Sequence, residues 1–159
     1  IDNTRDGGKY YAYYTGRNYK VFQPTGSVMS LPGNGENTAV YTPTIRVPGY
    51  YEIFEWHGYK GGSPGAEKEA TNVPYTIFSS DGDTVVYVDQ SKNPGSWNTF
   101  GRYFFQAGRN GNVKISNKAN GVVLADAISF VYRGSDPSKE STVDRTPPSA
   151  PAGVNVHKN

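Results

Sequence analysis

Glu55 and His57 are the residues whose types and spacing could do chemistry. They lie two positions apart in Tyr50–His57, a run whose alternation predicts a β-strand. Their side chains therefore share one face of the strand, about 6.5–7 Å apart along the chain. A carboxylate beside an imidazole fixes its tautomer and raises its basicity, as a general base requires. The alternative, which we favour, is a hydrogen-bonded pair that closes the end of the fold and orders the loop that follows.

The sequence contains few other residue patterns that are typical of catalysis or metal binding. The chain has no cysteine, which excludes thiol catalysis, disulfides and thiolate metal sites, and no G-x-S-x-G nucleophile elbow is present. Glu52 and Glu55 point to opposite faces of their strand, so they do not form the carboxylate pair of a glycoside hydrolase. Two histidines without cysteine argue against zinc. We expect no metal and no cofactor, and calcium with oxygen ligands is the one metal left open.

A carboxylate is also predicted on a core-facing position near the end of the domain. Asp126 alternates with Leu124 and Ile128 in the strand-like run Val122–Tyr132. A buried charge must be paired or neutralised. We expect Asp126 to accept hydrogen bonds and, together with Asp2, to help tie the first and last strands together.

Aromatic side chains are abundant and could bind sugars. Aromatic residues make up 14% of the chain, and 13 of them are tyrosines. Their rings can stack on pyranose C–H faces while nearby polar groups bind the hydroxyls. If the face of Tyr51 and Ile53 is core, the Trp56 indole on the opposite face is expected to look outward. The alternative for each ring is packing in the core. The predicted ligand-binding residues are Trp56, His57, Tyr59, Asn72, Tyr75 and Trp97.

The fold class follows from many short strands separated by turns. The chain contains 19 glycines and 11 prolines, and no long segment keeps a 3.6-residue period. Asp81-Gly82 predicts a hairpin turn between Val73–Ser79 and Thr84–Gln90. Gly101 predicts a bulge in the strand Trp97–Phe105. About eight strands with such turns predict an all-β, antiparallel, jelly-roll-like β-sandwich.

Charge and hydropathy argue against two classes of partner, nucleic acids and the membrane interior. The net charge is +2, from 16 basic and 14 acidic residues that are scattered singly, so nucleic acid is not an expected partner. No apolar run approaches the roughly 18 residues that cross a bilayer. Ile1 is interpreted as a trimmed or mature start, with any export signal upstream.

Several segments together resemble the golvesin C-terminal-like domain, also known as a xanthan-lyase-associated domain. The most specific are Ala70–Ile77 (ATNVPYTI) and Ala125–Phe130 (ADAISF), supported by Pro48–Trp56 (PGYYEIFEW) and Trp97–Phe105 (WNTFGRYFF). The resemblance covers Ile1 to about Tyr132. It implies a β-sandwich module appended to secreted bacterial enzymes that act on glycans or cell walls, without catalytic residues of its own.

The end of the chain predicts a linker and a further repeat. We expect residues 1–134 to form the golvesin-like sandwich and 135–150 to be a linker rich in proline and serine. Residues 151–159 resemble the opening of a fibronectin type III repeat, which needs roughly 90 residues to form a core. The chain is thus interpreted as one module of a longer protein.

Three functional hypotheses remain open at this point. The first is a non-catalytic accessory module of a secreted, periplasmic or cell-surface bacterial protein that binds polysaccharide or cell-wall glycan weakly. The parent protein would then be a polysaccharide lyase or hydrolase. The second is a structural spacer that docks against neighbouring domains of the same chain. The third is a hydrolase or lyase domain with Glu55 and His57 at its centre.

Overall fold

Ten β-strands make up the part of the chain that the structure describes. This computed structural model describes residues 19–21, 28–58 and 68–135. The predictions for Asp2, Tyr59, most of the linker and the fibronectin-like end fall outside these residues. The strands are β1 (Tyr19–Val21), β2 (Val28–Ser30), β3 (Thr38–Tyr41), β4 (Gly49–Trp56), β5 (Val73–Ser79), β6 (Gly82–Val88), β7 (Trp97–Phe105), β8 (Asn112–Ser116), β9 (Val123–Ala125) and β10 (Ala127–Tyr132).

The strands form three antiparallel sheets. The order of the four-stranded sheet is β3-β8-β5-β6. A second sheet has the order β10-β4-β7, and the third has the order β1-β2-β9. Only Asp126 separates β9 from β10, so the second and third sheets are joined through nearly continuous chain. The predicted all-β antiparallel sandwich is confirmed.

The core lies between the sheets and follows the period-two alternation of the strands. On β5, Val73, Tyr75 and Ile77 are buried and face inward, whereas the residues between them are more exposed. On β4, Tyr51 and Ile53 enter the same core cluster, together with inward residues of the facing sheet such as Ile115. This alternation matters for function, because it continues along β4 beyond Ile53 to Glu55 and His57.

The local predictions for turns and irregularities agree with the structure. The predicted β5–β6 hairpin is confirmed, but its two loop residues are Ser80 and Asp81, because Gly82 already pairs with Ser79 as the first residue of β6. The register between β4 and β7 shifts between Ile53 and Phe54, opposite Gly101. Gly101 has a φ of 96°, a conformation that glycine adopts without steric cost, and the predicted bulge is confirmed.

Candidate functional site

Five polar side chains from four segments meet at the end of β4 in one hydrogen-bonded network. Glu55, His57 and Gln90 are completely buried, and Tyr75 is 2% exposed. The fifth member, Asn98, is partly buried. We call this network the buried polar cluster: Glu55, His57, Tyr75, Gln90 and Asn98.

The pairing of Glu55 with His57 is direct. The His57 Nδ1 atom lies 3.0 Å from each carboxylate oxygen of Glu55. The two residues face the same way because they are two positions apart at the end of β4. The sequence-based expectation of a shared face therefore holds, and the two groups are in contact.

The other ring nitrogen of His57 is occupied as well. Nε2 lies 2.9 Å from the backbone carbonyl oxygen of Lys92, to which it donates. Asp89 shapes the turn that presents this carbonyl, because its carboxylate accepts from the Ser91 amide at 3.1 Å and pairs with the Lys92 ammonium at 3.0 Å. The backbone amide of Gly95 also donates to the His57 carbonyl at 2.8 Å, which fixes the same turn against the end of β4.

These contacts favour the charged form of the imidazole. Burial alone would lower the pKa of His57. The hydrogen bond and the negative charge of Glu55, the Lys92 carbonyl and the charge of Asp126 outweigh that burial and raise the pKa above its ordinary value of 6.5. The surroundings of His57 thus favour the imidazolium form more than water does.

Glu55 has further donors around its carboxylate. Asn98 Nδ2 donates to Oε1 at 2.6 Å, and the Tyr75 hydroxyl lies 3.4 Å from Oε2. Asn98 is directly opposite Glu55 in the β4–β7 pairing, which explains their contact. The buried carboxylate is therefore surrounded by donors from three sides of the fold.

Gln90 links the cluster to β9, because its side-chain amide pairs with the backbone of Leu124 as a neighbouring strand would. Its Nε2 donates to the Leu124 carbonyl at 2.7 Å, and its Oε1 accepts from the Leu124 amide at 2.8 Å. The same Nε2 donates to the Tyr75 hydroxyl at 2.9 Å. The side chain thus satisfies backbone groups of Leu124 that would otherwise be buried without partners.

Asp126 lies beside this network at the break between β9 and β10. It is 2% exposed, and its backbone carbonyl accepts from the Tyr41 hydroxyl at 3.2 Å. Its carboxylate contributes to raising the pKa of His57, which places it within electrostatic reach of the imidazole. Asp126 is therefore buried, but the hydrogen bond from Tyr41 goes to its backbone carbonyl, and hydrogen bonding of its carboxylate stays a prediction.

The arrangement explains what His57 can do chemically. A general base needs a free lone pair directed at a substrate proton. Both nitrogens of His57 are engaged by protein acceptors, and its side chain is inaccessible to solvent. This geometry favours a structural role, in which the pair closes the sandwich end and holds the 89–95 turn. Most of the loop that follows His57, which the pair was expected to order, lies outside the described residues.

The predicted ligand-binding aromatic residues that the structure describes are buried or half-buried. The expectation that the Trp56 indole looks outward is wrong, because Trp56 is only 6% exposed. Its cross-strand partner Trp97 packs edge-on against it, with 5.4 Å between ring centroids, and contributes to this burial. His57 and Tyr75 are buried in the polar cluster, whereas Trp97 is half-buried and Asn72 is exposed.

Sequence reasoning missed a groove on the outer face of the four-stranded sheet. It has a volume of about 440 Å³, and its lining includes Asn72, Pro74, Tyr87, Lys118 and Asn120. Tyr87 is 68% exposed, the largest exposure among the large hydrophobic side chains of the described residues. The available signal was the alternation of β6, which puts Val85 and Tyr87 on the face opposite to the core-facing Tyr75.

Within residues 19–21, 28–58 and 68–135, no group of three or more His, Asp or Glu side chains is placed to hold a metal ion. The expectation about calcium remains untested. The described segments include no helix with the length and hydrophobicity that a bilayer crossing requires.

Comparison with known families decides the classification. The model of the golvesin C-terminal domain matches residues 8–132. The chain belongs to this family. The matched residues include the buried polar cluster and the residues that line the outer groove.

A solved relative adds context. The structure of a Paenibacillus xanthan lyase matches with a TM-score of 0.64 and 29% sequence identity over 83% of this chain. The match corresponds to 12% of the xanthan lyase chain, so this chain is similar to one segment of a much larger protein. No curated protein gives a significant sequence match.

Proposed function

We propose that this domain is a non-catalytic accessory module of a secreted multidomain bacterial protein that acts on polysaccharide or cell-wall glycan, and that it binds carbohydrate weakly. The parent protein would be a polysaccharide lyase or hydrolase, located outside the cytoplasm, in the periplasm or on the cell surface. Weak binding is sufficient for this task, since neighbouring modules raise the effective concentration of the ligand.

The observation that carries the proposal is the likeness to a segment of xanthan lyase at 29% identity. The buried polar cluster supports the non-catalytic part, because the carboxylate and imidazole groups there are engaged by protein partners. The surface supports the binding part, since an exposed tyrosine and amide groups line an open groove.

The test is affinity gel electrophoresis of the purified chain against a panel of neutral and acidic polysaccharides. We expect slower migration in at least one polysaccharide and no release of reducing ends or unsaturated uronic acids. Unchanged migration in every gel would contradict the carbohydrate-binding function. Release of product that disappears in a His57→Gln variant would contradict the non-catalytic assignment.

A second candidate is a spacer that docks against a neighbouring domain, and one surface favours it. Val47 and Tyr132 are 51% and 40% exposed, and both contact Tyr51. Tyr132 ends β10, close to where the chain continues toward the predicted linker. If this surface docks a neighbour, Tyr132→Ser will lower the melting temperature of the parent protein more than that of the isolated domain. Equal shifts would count against docking.

A further inference from the structure

The groove around Tyr87 lies on the outer face of the β3-β8-β5-β6 sheet. Tyr87 on β6 is paired with Pro74 on β5, so both side chains project from the same outer face. Within the described residues, β6 pairs only with β5 and therefore forms one edge of this sheet. A ligand can reach the tyrosine ring from above the sheet and from its edge.

The tyrosine ring provides an apolar platform at low entropic cost. Tyr87 is 68% exposed, whereas Tyr75 on the neighbouring strand is 2% exposed. A tyrosine carries a large rigid face with only two side-chain torsions, and its edge is polar. Such a face matches the C–H surface of a pyranose ring, and the proline beside it extends the apolar floor.

The polar rim of the groove is held in place by hydrogen bonds. The Asn72 Oδ1 atom accepts from the Asn120 amide at 2.8 Å, and Asn120 Oδ1 accepts from the Thr71 amide at 2.9 Å. Asn120 Nδ2 also donates to the Thr71 hydroxyl at 2.8 Å. Among the described residues, Asn72 Nδ2 donates to no acceptor. A fixed amide donor beside an aromatic platform is suited to a sugar hydroxyl, because little order must be gained on binding.

Lys118 gives the groove a positive charge. It lines the groove, is exposed, and forms no ion pair with the carboxylates of residues 28–58 and 68–135. The carboxylate of Glu36 lies next to Gly33, another lining residue, and accepts from the Asn34 amide at 2.6 Å. The negative charge of Glu36 partly offsets the positive charge of Lys118. The net attraction for an anion is therefore modest and must come from close contact with the ammonium group.

We infer that this groove is a subsite for an acidic polysaccharide, with one pyranose ring on Tyr87 and a sugar carboxylate at Lys118. The inference rests on the proposed carbohydrate-binding function and specifies its place and its ligand class. It assigns the aromatic platform to a residue that lies outside the set predicted from the sequence.

The experiment compares polygalacturonate with its carboxyl-reduced form in affinity electrophoresis at low and high salt. Tyr87→Ala is expected to weaken binding to both forms by about fivefold or more. Lys118→Gln is expected to weaken binding only to the acidic form, by about two- to fivefold, and to remove its salt dependence. Circular dichroism and thermal melting establish that each variant is folded.

Two matched controls come from the same face of the sheet. Val85→Ala truncates an exposed side chain on β6 that does not line the groove. Lys114→Gln removes a charge that lies 5.1 Å from the centre of the Phe78 ring, also outside the groove lining. Both controls are expected to bind like the unmodified chain.

The outcomes separate this inference from the proposed function. Binding that Tyr87→Ala leaves unchanged would overturn the groove assignment, while carbohydrate binding itself would stand. Equal affinity for the acidic and reduced forms would overturn the role of Lys118 and the acidic ligand class. Absence of binding to every polysaccharide in the panel would overturn both proposals together.

Discussion

The buried polar cluster and the Tyr87 groove contain similar side chains in opposite environments. Both combine a tyrosine, amide groups and charged groups. In the cluster, Glu55 and His57 are completely buried and bind one another, whereas Tyr87 in the groove is 68% exposed. The β5–β6 hairpin contains both environments, since Tyr75 on β5 and Tyr87 on β6 project from opposite faces of the sheet.

This difference shows that residue type alone does not make a functional site. The polar atoms of the cluster are engaged by partners within the fold, so its hydrogen bonds contribute to stability and to a unique packing. In the groove, Lys118 and the Asn72 amide nitrogen have donors that no acceptor in the described part of the chain takes up. Substitutions in the two regions should therefore affect different properties, stability in the first and binding in the second.

The largest effect is expected from Glu55→Gln. This change leaves the imidazole of His57 buried without its counter-charge, and breaking a buried pair in this way costs about 3 kcal/mol or more of unfolding free energy. Urea denaturation measures the loss. Asp83→Asn on the exposed strand β6 is the matched control and should change the unfolding free energy by less than about 0.5 kcal/mol. Similar values for the two variants would contradict a structural role for the pair.

Gln90→Leu should have the next largest effect. The leucine fills a similar volume but leaves the backbone amide and carbonyl of Leu124 buried without partners. Each such group costs about 1–3 kcal/mol, so we expect a loss of about 2–3 kcal/mol. Thermal or urea unfolding tests this expectation. Gln90→Glu retains an acceptor for the Leu124 amide but loses the donor to its carbonyl, and the variant identifies which of the two bonds matters more.

A smaller effect is expected from pH. The pKa of His57 is higher in the folded than in the unfolded state, so protonation of His57 stabilises the fold. This stabilisation is complete below the ordinary pKa of 6.5 and is lost as pH rises through the raised pKa. The unfolding free energy should therefore fall as pH rises above about 6.5, over the range below that in which tyrosines titrate. Urea denaturation across this range measures the slope. His57→Gln should abolish it, and a slope that persists in the variant would assign the effect to another group.

The smallest effect on stability is expected in the groove. Tyr87→Ala and Lys118→Gln remove exposed side chains, so each should change the unfolding free energy by less than about 0.5 kcal/mol. The same variants should weaken polysaccharide binding, as argued above. If Tyr87→Ala instead destabilises the domain by more than about 2 kcal/mol, Tyr87 is covered in solution and the contrast between the two regions fails.

Local features of the fold could be predicted from the sequence because they depend on neighbours in the chain. The strands Val73–Ser79 and Trp97–Phe105, the hairpin that follows Ser79 and the bulge at Gly101 agree with the structure. Alternation along β4 also placed Glu55 and His57 on one face. The run Val122–Tyr132, predicted as one strand, is divided at Asp126, because its two parts pair with different strands.

The candidate site was harder to predict because exposure depends on residues distant in sequence. Alternation assigned Trp56 to the outer face of its strand, but Trp56 is buried and Trp97 from β7 packs against it. The turn at Lys92 similarly closes over His57 from 35 residues away. Tyr87 was not selected, since the alternation of β6 places it on the outer face but does not show whether other parts of the chain cover that face.

By itself, the sequence determined the fold class, most strand positions and the pairing of Glu55 with His57, since these follow from alternation and turn chemistry over a few residues. Only the tertiary structure decided which aromatic and polar groups remain open to solvent. Solvent exposure is set by which strands and turns pack over a side chain, and that information is distributed over the whole chain.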